Sequence, residues 1–223
     1  MLFPIDLSMG QAWLMVVAFF WLRYSILVGF CFLLFYVWKK KAWHHLKIQP
    51  KFPKAKDISR EVMYSFLTGL IFSSVILLVR LASQQGYTQI YLHFSDFGYV
   101  YLGLSFPLII LLHDTYFYWL HRWMHMPALY KYVHRVHHQS HNPTPWASFA
   151  FHPLEALLEV AFVGIIFVIP FHPLILVLFS FWVIAFNILG HLGYEIYPSW
   201  FVKHDVGRWY NTSTHHNMHH AWV

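Results

Sequence analysis

The chain has 223 residues, 58% of them hydrophobic and 11% charged, with a formal net charge of +6. A charged share less than half that of ordinary globular chains, together with a mean hydropathy of +0.47, excludes a water-soluble domain and a disordered one alike. One cysteine, Cys31, excludes a disulfide scaffold and an iron–sulfur cluster held by four thiolates.

The N-terminal segment MLFPIDLSMG has no basic region and no cleavage site, so no signal peptide is expected. Stretches near ~20 apolar residues, enough to cross about 30 Å of hydrocarbon, then recur along the chain. The first predicted span runs from about Ala12 to Val37, interrupted by Arg23. A central arginine costs roughly 2.5–3.5 kcal/mol on insertion scales, so Arg23 snorkels, faces other helices, or marks a later helix start. The segment from Lys39 to Arg60 holds Lys39, Lys40, Lys41, Lys47, Lys51, Lys54, Lys56 and Arg60 against one acid, Asp57. The second span is predicted over Val62–Val79 and the third over Tyr99–Leu112, with an apolar continuation through Tyr116, Phe117, Tyr118 and Trp119. A fourth apolar region, Ala156–Ile188, is broken by Pro170 and Pro173. Two arms of about 15 residues joined by prolines predict a hairpin dipping in and out.

The basic loop sets the orientation. Its lysines place it in the cytoplasm, whereas the connection from Ser83 to Gly98 has no lysine or arginine, as expected for the opposite side. Counting crossings returns the chain to the cytoplasmic face near His113 and again after His191. The expected fold is therefore all-α: a multi-pass membrane helical bundle of about four spans, the last a hairpin, with a histidine-rich helical cap on the cytoplasmic face. Residues 1–111 form the N-terminal spans with the basic loop 39–60. Residues 112–223 form the histidine-rich region with the membrane hairpin 156–190. The basic loop reads as topology and weak attraction to anionic lipid rather than as a nucleic-acid patch.

Fifteen of the 18 histidines lie between His113 and His220. His121 and His125 are four apart, and two triplets, His134/His137/His138 and His216/His219/His220, have i, i+3, i+4 spacing. On a helix these offsets share a face, with Cβ atoms about 5–6 Å apart, so the imidazoles can converge on one metal or on two neighbouring ones. Eight such rings beside membrane spans are too costly to leave without partners. His191 joins them by position, just after the returning hairpin arm and four residues beyond Asn187. His44, His45, His93 and His172 read as structural, and His113, His141, His204 and His215 as structural or supporting. Eight or nine imidazoles exceed the coordination of one ion and imply two. Nitrogen ligation suits Zn, Cu, Fe or Ni. Iron is the choice that activates dioxygen against the unactivated C–H bonds of a lipid. The nearby acids Asp114, Glu155, Glu159, Glu195 and Asp205 are expected to accept the second ring N–H of ligating histidines.

The three boxes, with Asp114, Tyr118-Trp119-Leu120-His121-Arg122 before the first and Phe151-His152-Pro153-Leu154-Glu155 after the second, resemble those of the fatty acid hydroxylase/sterol desaturase superfamily. The resemblance covers roughly Leu112 to His220. It implies a membrane-embedded, non-haem di-iron enzyme that uses O2 and two electrons to hydroxylate, demethylate or desaturate a lipid. It implies metal ligation by His121, His125, His134, His137, His138, His191, His216, His219 and His220, with zinc able to substitute for the two irons. Asp114, His152, Glu155 and His215 are the candidates for supporting the ligands. Family members often have histidine where this chain has Asn187; the related acyl-CoA desaturases have asparagine there, so Asn187 is a candidate ligand through water. The sequence also departs after the last box, where relatives continue with an aromatic segment and this one reads Ala221-Trp222-Val223.

A lipid substrate entering from the bilayer is expected, as is a separate electron donor, a cytochrome or ferredoxin with its reductase. No nucleic-acid partner is expected. The location is integral to a membrane, either a bacterial inner membrane or the endoplasmic reticulum. The competing reading is a membrane zinc or other divalent-metal binding or transport protein. A transporter carries ligands near mid-membrane, whereas these sit at the ends of spans.

Overall fold

The computed structural model describes residues 7–205, 207 and 210–222. Most of the N-terminal segment read for a signal peptide, and Val223, lie outside the described residues. Helices dominate: α1 (Met9–Phe32), continued as a π-helix over Leu33–Trp38; α2 (Ala55–Gln84); α3 (Gly98–Met124); α4 (Pro127–Val133); α5 (Arg135–His138); α6 (Pro153–Val160); α7 (Pro173–Gly190); α8 (Ser199–Lys203); and α9 (Ser213–Trp222). Extended pairing among the described residues is confined to the isolated bridges Lys47–Tyr194 and Ile90–Phe171.

Four helices are long and apolar enough to cross a membrane: Met9–Trp38, Ala55–Gln84, Gly98–Met124 and Pro173–Gly190. Their large apolar side chains are widely exposed, among them Leu14, Leu22, Ile26 and Phe30 on α1 and Leu104 and Leu111 on α3. Such surface is stable only against lipid or another apolar face. The first three helices outrun the apolar windows at both ends. α3 runs on through the aromatic continuation as far as Met124 and carries His121 in its last turn.

The hairpin differs in form from two equal arms. Its returning arm is the single helix α7, whereas its outgoing arm is the eight-residue α6 followed by a 3-10 stretch over Ala161–Phe167. A 3-10 run rises about 2 Å per residue, so the seven residues beyond α6 gain more length than an α-helix of the same count.

The chain forms two compact units. The first comprises Met1–Phe20, Gly69–Val133 and Pro153–Val183, and the second comprises Trp21–Thr68, His134–His152 and Ile184–Val223. In the first, Ile109, Ile166, Phe171 and Ile175 form a buried core. The turn between the hairpin arms pairs with the lysine-free connection: Gln89 N donates to Ile166 O (2.8 Å) and Tyr91 N to Phe171 O (3.3 Å). Tyr101 Oη donates to Pro170 O at 2.9 Å. His172 caps this turn, with Nε2 3.1 Å from Leu92 O and Nδ1 accepting from Leu174 N, the structural role expected of it.

The second unit brings the basic loop to the second and third histidine boxes. Ile48 N donates to Gly193 O (3.1 Å) and Glu195 N to Leu46 O (2.8 Å). The π-turn at the end of α1 presents Phe35 and Tyr36 to Leu192 and Tyr194. Two tyrosines then exchange bonds: Tyr36 Oη donates to Leu192 O at 3.0 Å, and Tyr194 Oη to Phe35 O at 2.9 Å. Gly193 sits between them at φ +71°, a conformation glycine adopts freely; a Cβ there would run into Tyr36 Oη. Lys47 is buried, its ammonium 5.3–5.5 Å from the ring centres of Tyr36, Phe52 and Tyr194. The loop and the second and third boxes therefore occupy one place.

Candidate metal centre

The second unit gathers seven of the nine histidines expected as metal ligands. His137, His191, His216 and His220 are all buried, with ligand nitrogens within 4.8 Å of one another. Their Nε2 atoms converge: His191 to His137 at 3.2 Å, His216 to His191 at 3.0 Å and His220 to His216 at 3.2 Å. Two nitrogens held about 2.1 Å from one ion lie ~3.0 Å apart at a right angle and ~3.4 Å apart at the tetrahedral angle. These three separations fall in that interval, as they would for nitrogens sharing one transition-metal ion.

The protonation states agree. His191 Nδ1 donates to Asn187 O at 2.8 Å, which leaves the Nε2 lone pair facing the cluster. Burial pushes the His191 ring down to about 4. Burial, and then the neighbouring imidazoles, hold His137 and His220 well below the ordinary histidine range. These rings are neutral near pH 7, the form that binds metal. The Nδ1 atoms of His137 and His220 are buried with no hydrogen-bond partner.

A second group lies beside the first. His134, His138 and His219 also have ligand nitrogens within 4.8 Å of one another. His138 Nε2 is 3.1 Å from His134 Nε2, and the His138 and His219 ring centres are 4.6 Å apart. The triplets divide by spacing. In the second box, i and i+4 (His134, His138) join the three-histidine group and i+3 (His137) the four-histidine group. In the third box, His216 and His220 join the four-histidine group and His219 the three-histidine group. In the first unit, His121 and His125 at the end of α3 have ring centres 4.7 Å apart.

The other sequence-derived candidates fall as follows. Asn187 supplies its backbone carbonyl to His191. Asp114 is exposed, its carboxylate 3.5 Å from His113 Nδ1. His215 Nδ1 lies 3.3 Å from Tyr210 O. Glu155 is buried in α6, and His152 is partly buried just before it. Glu195 serves a different purpose from the one expected of nearby acids. Its Oε2 accepts from Thr214 N and its Oε1 from Tyr197 N, both at 2.9 Å, so it caps α9, the helix carrying the third box. The physical reason is supply: α9 begins with unsatisfied backbone N–H groups, and His191 already has a carbonyl partner.

Sequence reasoning missed the polar side chains that brace the boxes. Gln49 Nε2 donates to His141 O (2.7 Å) and to Asn217 Oδ1 (2.8 Å). Glu61, buried on α2, accepts from Thr144 Oγ1, and Tyr24 Oη donates to Trp146 O at 2.8 Å. The one local signal was an acid at the edge of an apolar run, which marks Glu61 as paired.

The fold and these clusters define an integral membrane helical protein with histidine groups able to hold metal ions. A family model described as fatty acid hydroxylase matches residues 106–222, which include every clustered histidine. The chain belongs to the fatty acid hydroxylase/sterol desaturase superfamily. It is 28% identical over 218 residues to a Delta(7)-sterol 5(6)-desaturase of Gibberella zeae, covering 97% of this chain and 64% of that protein. It is 33% identical over 184 residues to the lathosterol oxidase of Rattus norvegicus, covering 79% of this chain and 58% of the relative. With a Delta(7)-sterol 5(6)-desaturase of Eremothecium gossypii it shares 35% identity over 150 residues, 66% of this chain and 40% of that one. The chain thus spans about two fifths to two thirds of the length of these relatives. No solved structure matches it.

Proposed function

We propose that this chain is a membrane di-iron oxygenase that desaturates or hydroxylates a lipid, with a sterol as the substrate class its relatives favour. The observation that carries the reading is the convergence of four buried imidazoles, with Nε2 atoms 3.0–3.2 Å apart from His137 through His191 and His216 to His220, in a chain of this family. One iron is assigned to His137, His191, His216 and His220. The second is assigned to His134, His138 and His219; the first box, by its resemblance to the family's, makes His121 and His125 candidate metal ligands as well. Iron held there supplies dioxygen activation strong enough to take hydrogen from an unactivated C–H bond.

The chain's own residues do the rest. The Asn187 carbonyl keeps the His191 proton on Nδ1 and so keeps Nε2 available. Burial keeps the rings neutral and excludes water that would compete for the metal. Desaturation balances as two C–H hydrogens, O2, two electrons and two protons giving one C=C bond and two waters; hydroxylation consumes the same electrons and protons and inserts one oxygen. The electrons come from a separate donor, a cytochrome or ferredoxin with its reductase. The lysines of the loop 39–60 assign the second and third boxes to the cytoplasmic face, since the loop and these two boxes lie together in one unit.

The test is metal analysis of the gently purified protein, followed by incubation with Delta(7)-sterols, O2 and a reducing system. About two irons per chain and an oxidised sterol are expected. Iron-loaded protein that oxidises no lipid with any donor, or a chain that holds only zinc and rejects iron on reconstitution, would overturn the reading.

A further inference from the structure

The basic loop is more than a topology signal, because it touches every segment that supplies the four-histidine cluster. Beyond the bonds of Ile48 and Glu195 to the segment after His191, Lys51 O accepts from Asn142 Nδ2 at 2.7 Å, four residues past His138. Gln49 stands at the centre of these contacts. Its amide reaches His141 O, behind the second box, and Asn217 Oδ1, inside the third. His141 Nδ1 in turn lies 3.3 Å from His220 O, closing a ring of bonds between the two boxes.

The loop backbone aims Gln49. The Lys47–Tyr194 bridge fixes it on one side, and Pro50 on the other restricts Gln49 to extended conformations. Asn217 is 1% exposed, so its orientation is set by protein contacts, and only a side chain with N–H donors at position 49 satisfies both acceptors at once. A carboxylate there would face two oxygens.

We propose that Gln49 is a positioning residue for the metal centre: its amide clamps the second and third boxes in register so that His137 meets His216 and His220. This rests on the reading of the four-histidine cluster as a metal site. Groups that bond the ligands directly typically change metal affinity about 10- to 100-fold when lost; Gln49 acts through His141 and Asn217, the residues beside them, so its effect falls at the lower end of that range.

The experiment is Co(II) titration of the full chain in mild detergent, read by ligand-field absorption, comparing native protein with Gln49→Glu, Gln49→Leu and Gln49→Lys. Loss of one Co(II) equivalent in His191→Ala identifies the four-histidine site. Affinity at that site is expected to fall about 10-fold in Gln49→Glu and Gln49→Leu, with a changed absorption envelope. Gln49→Lys, which keeps donors able to reach both oxygens, is expected to recover most of it. Native-like affinity in the Glu and Leu variants overturns the proposal, as does an equal loss in Leu and Lys. Should Gln49→Glu fail to fold, the Leu and Lys pair decides alone. Native protein that takes up no Co(II) would instead overturn the metal-site reading.

Discussion

Gly193→Ala tests how tightly the segment after His191 is held. Two costs follow from the structure. Alanine at φ +71° occupies the left-handed region, worth about 1–2 kcal/mol. The new Cβ also drives Tyr36 Oη from its place, breaking its buried bond to Leu192 O, worth about 1–3 kcal/mol. Together the loss is about 3 kcal/mol, measured by denaturant unfolding in mild detergent with tryptophan fluorescence. The two costs separate in a cycle with Tyr36→Phe, which deletes the hydroxyl the Cβ would strike. In that background Gly193→Ala is expected to cost only the backbone share, about 1–2 kcal/mol. Equal costs in both backgrounds would refute the collision and leave backbone strain as the whole effect.

Three further outcomes are expected. Glu195→Ala should weaken α9 by about 1 kcal/mol through loss of its cap, with Glu195→Gln milder because an amide oxygen still accepts; equal effects would show that the contact to Thr214 N is idle. The His191 ring has a folded pKa near 4 against an ordinary value of 6.5, so the unfolded chain takes up the proton first. Stability of the metal-free protein is therefore complete above pH 6.5 and lost as pH falls toward 4, by up to ~3 kcal/mol from this residue; a stability profile between pH 7 and 4.5 no flatter in His191→Phe than in native protein would contradict this. Lys47 is likewise lowered by burial, from 10.5 to about 8, so stability should rise as pH climbs from about 8 to 10.5. Lys47→Met should abolish that rise and be neutral or stabilising near pH 7, since it fills the same aromatic surround without a charge; a marked loss at pH 7 would mean that the ammonium–ring contacts outweigh burial.

What could be read from the sequence is what depends on near neighbours along the chain. Spans are a matter of local hydropathy, and four helices of spanning length lie where the apolar runs predicted them, with α3 continuing past His113. The box spacing already showed imidazoles on shared helical faces. What stayed hidden depends on distant contacts. The division of each triplet between two clusters follows from where His191 arrives, 54 residues after His137 in the chain. The work of Gln49 depends on partners 92 and 168 residues away. The expectation that acids steady the ligands took account of charge but not of supply. Where a helix end needs an acceptor, Glu195 goes there, and a main-chain carbonyl one turn back serves His191 instead.

The reciprocal sharing of the two triplets has a consequence for how this chain can change over generations. Each box gives two rings to one cluster and its remaining ring to the other, so neither cluster has a helix of its own. A slip, insertion or deletion of one residue within α5 or α9 disturbs both clusters in one event, and a stop codon between His191 and His216 removes ligands from both. The two sites are inherited as a single trait. A descendant that kept only one cluster would need different helices to hold it.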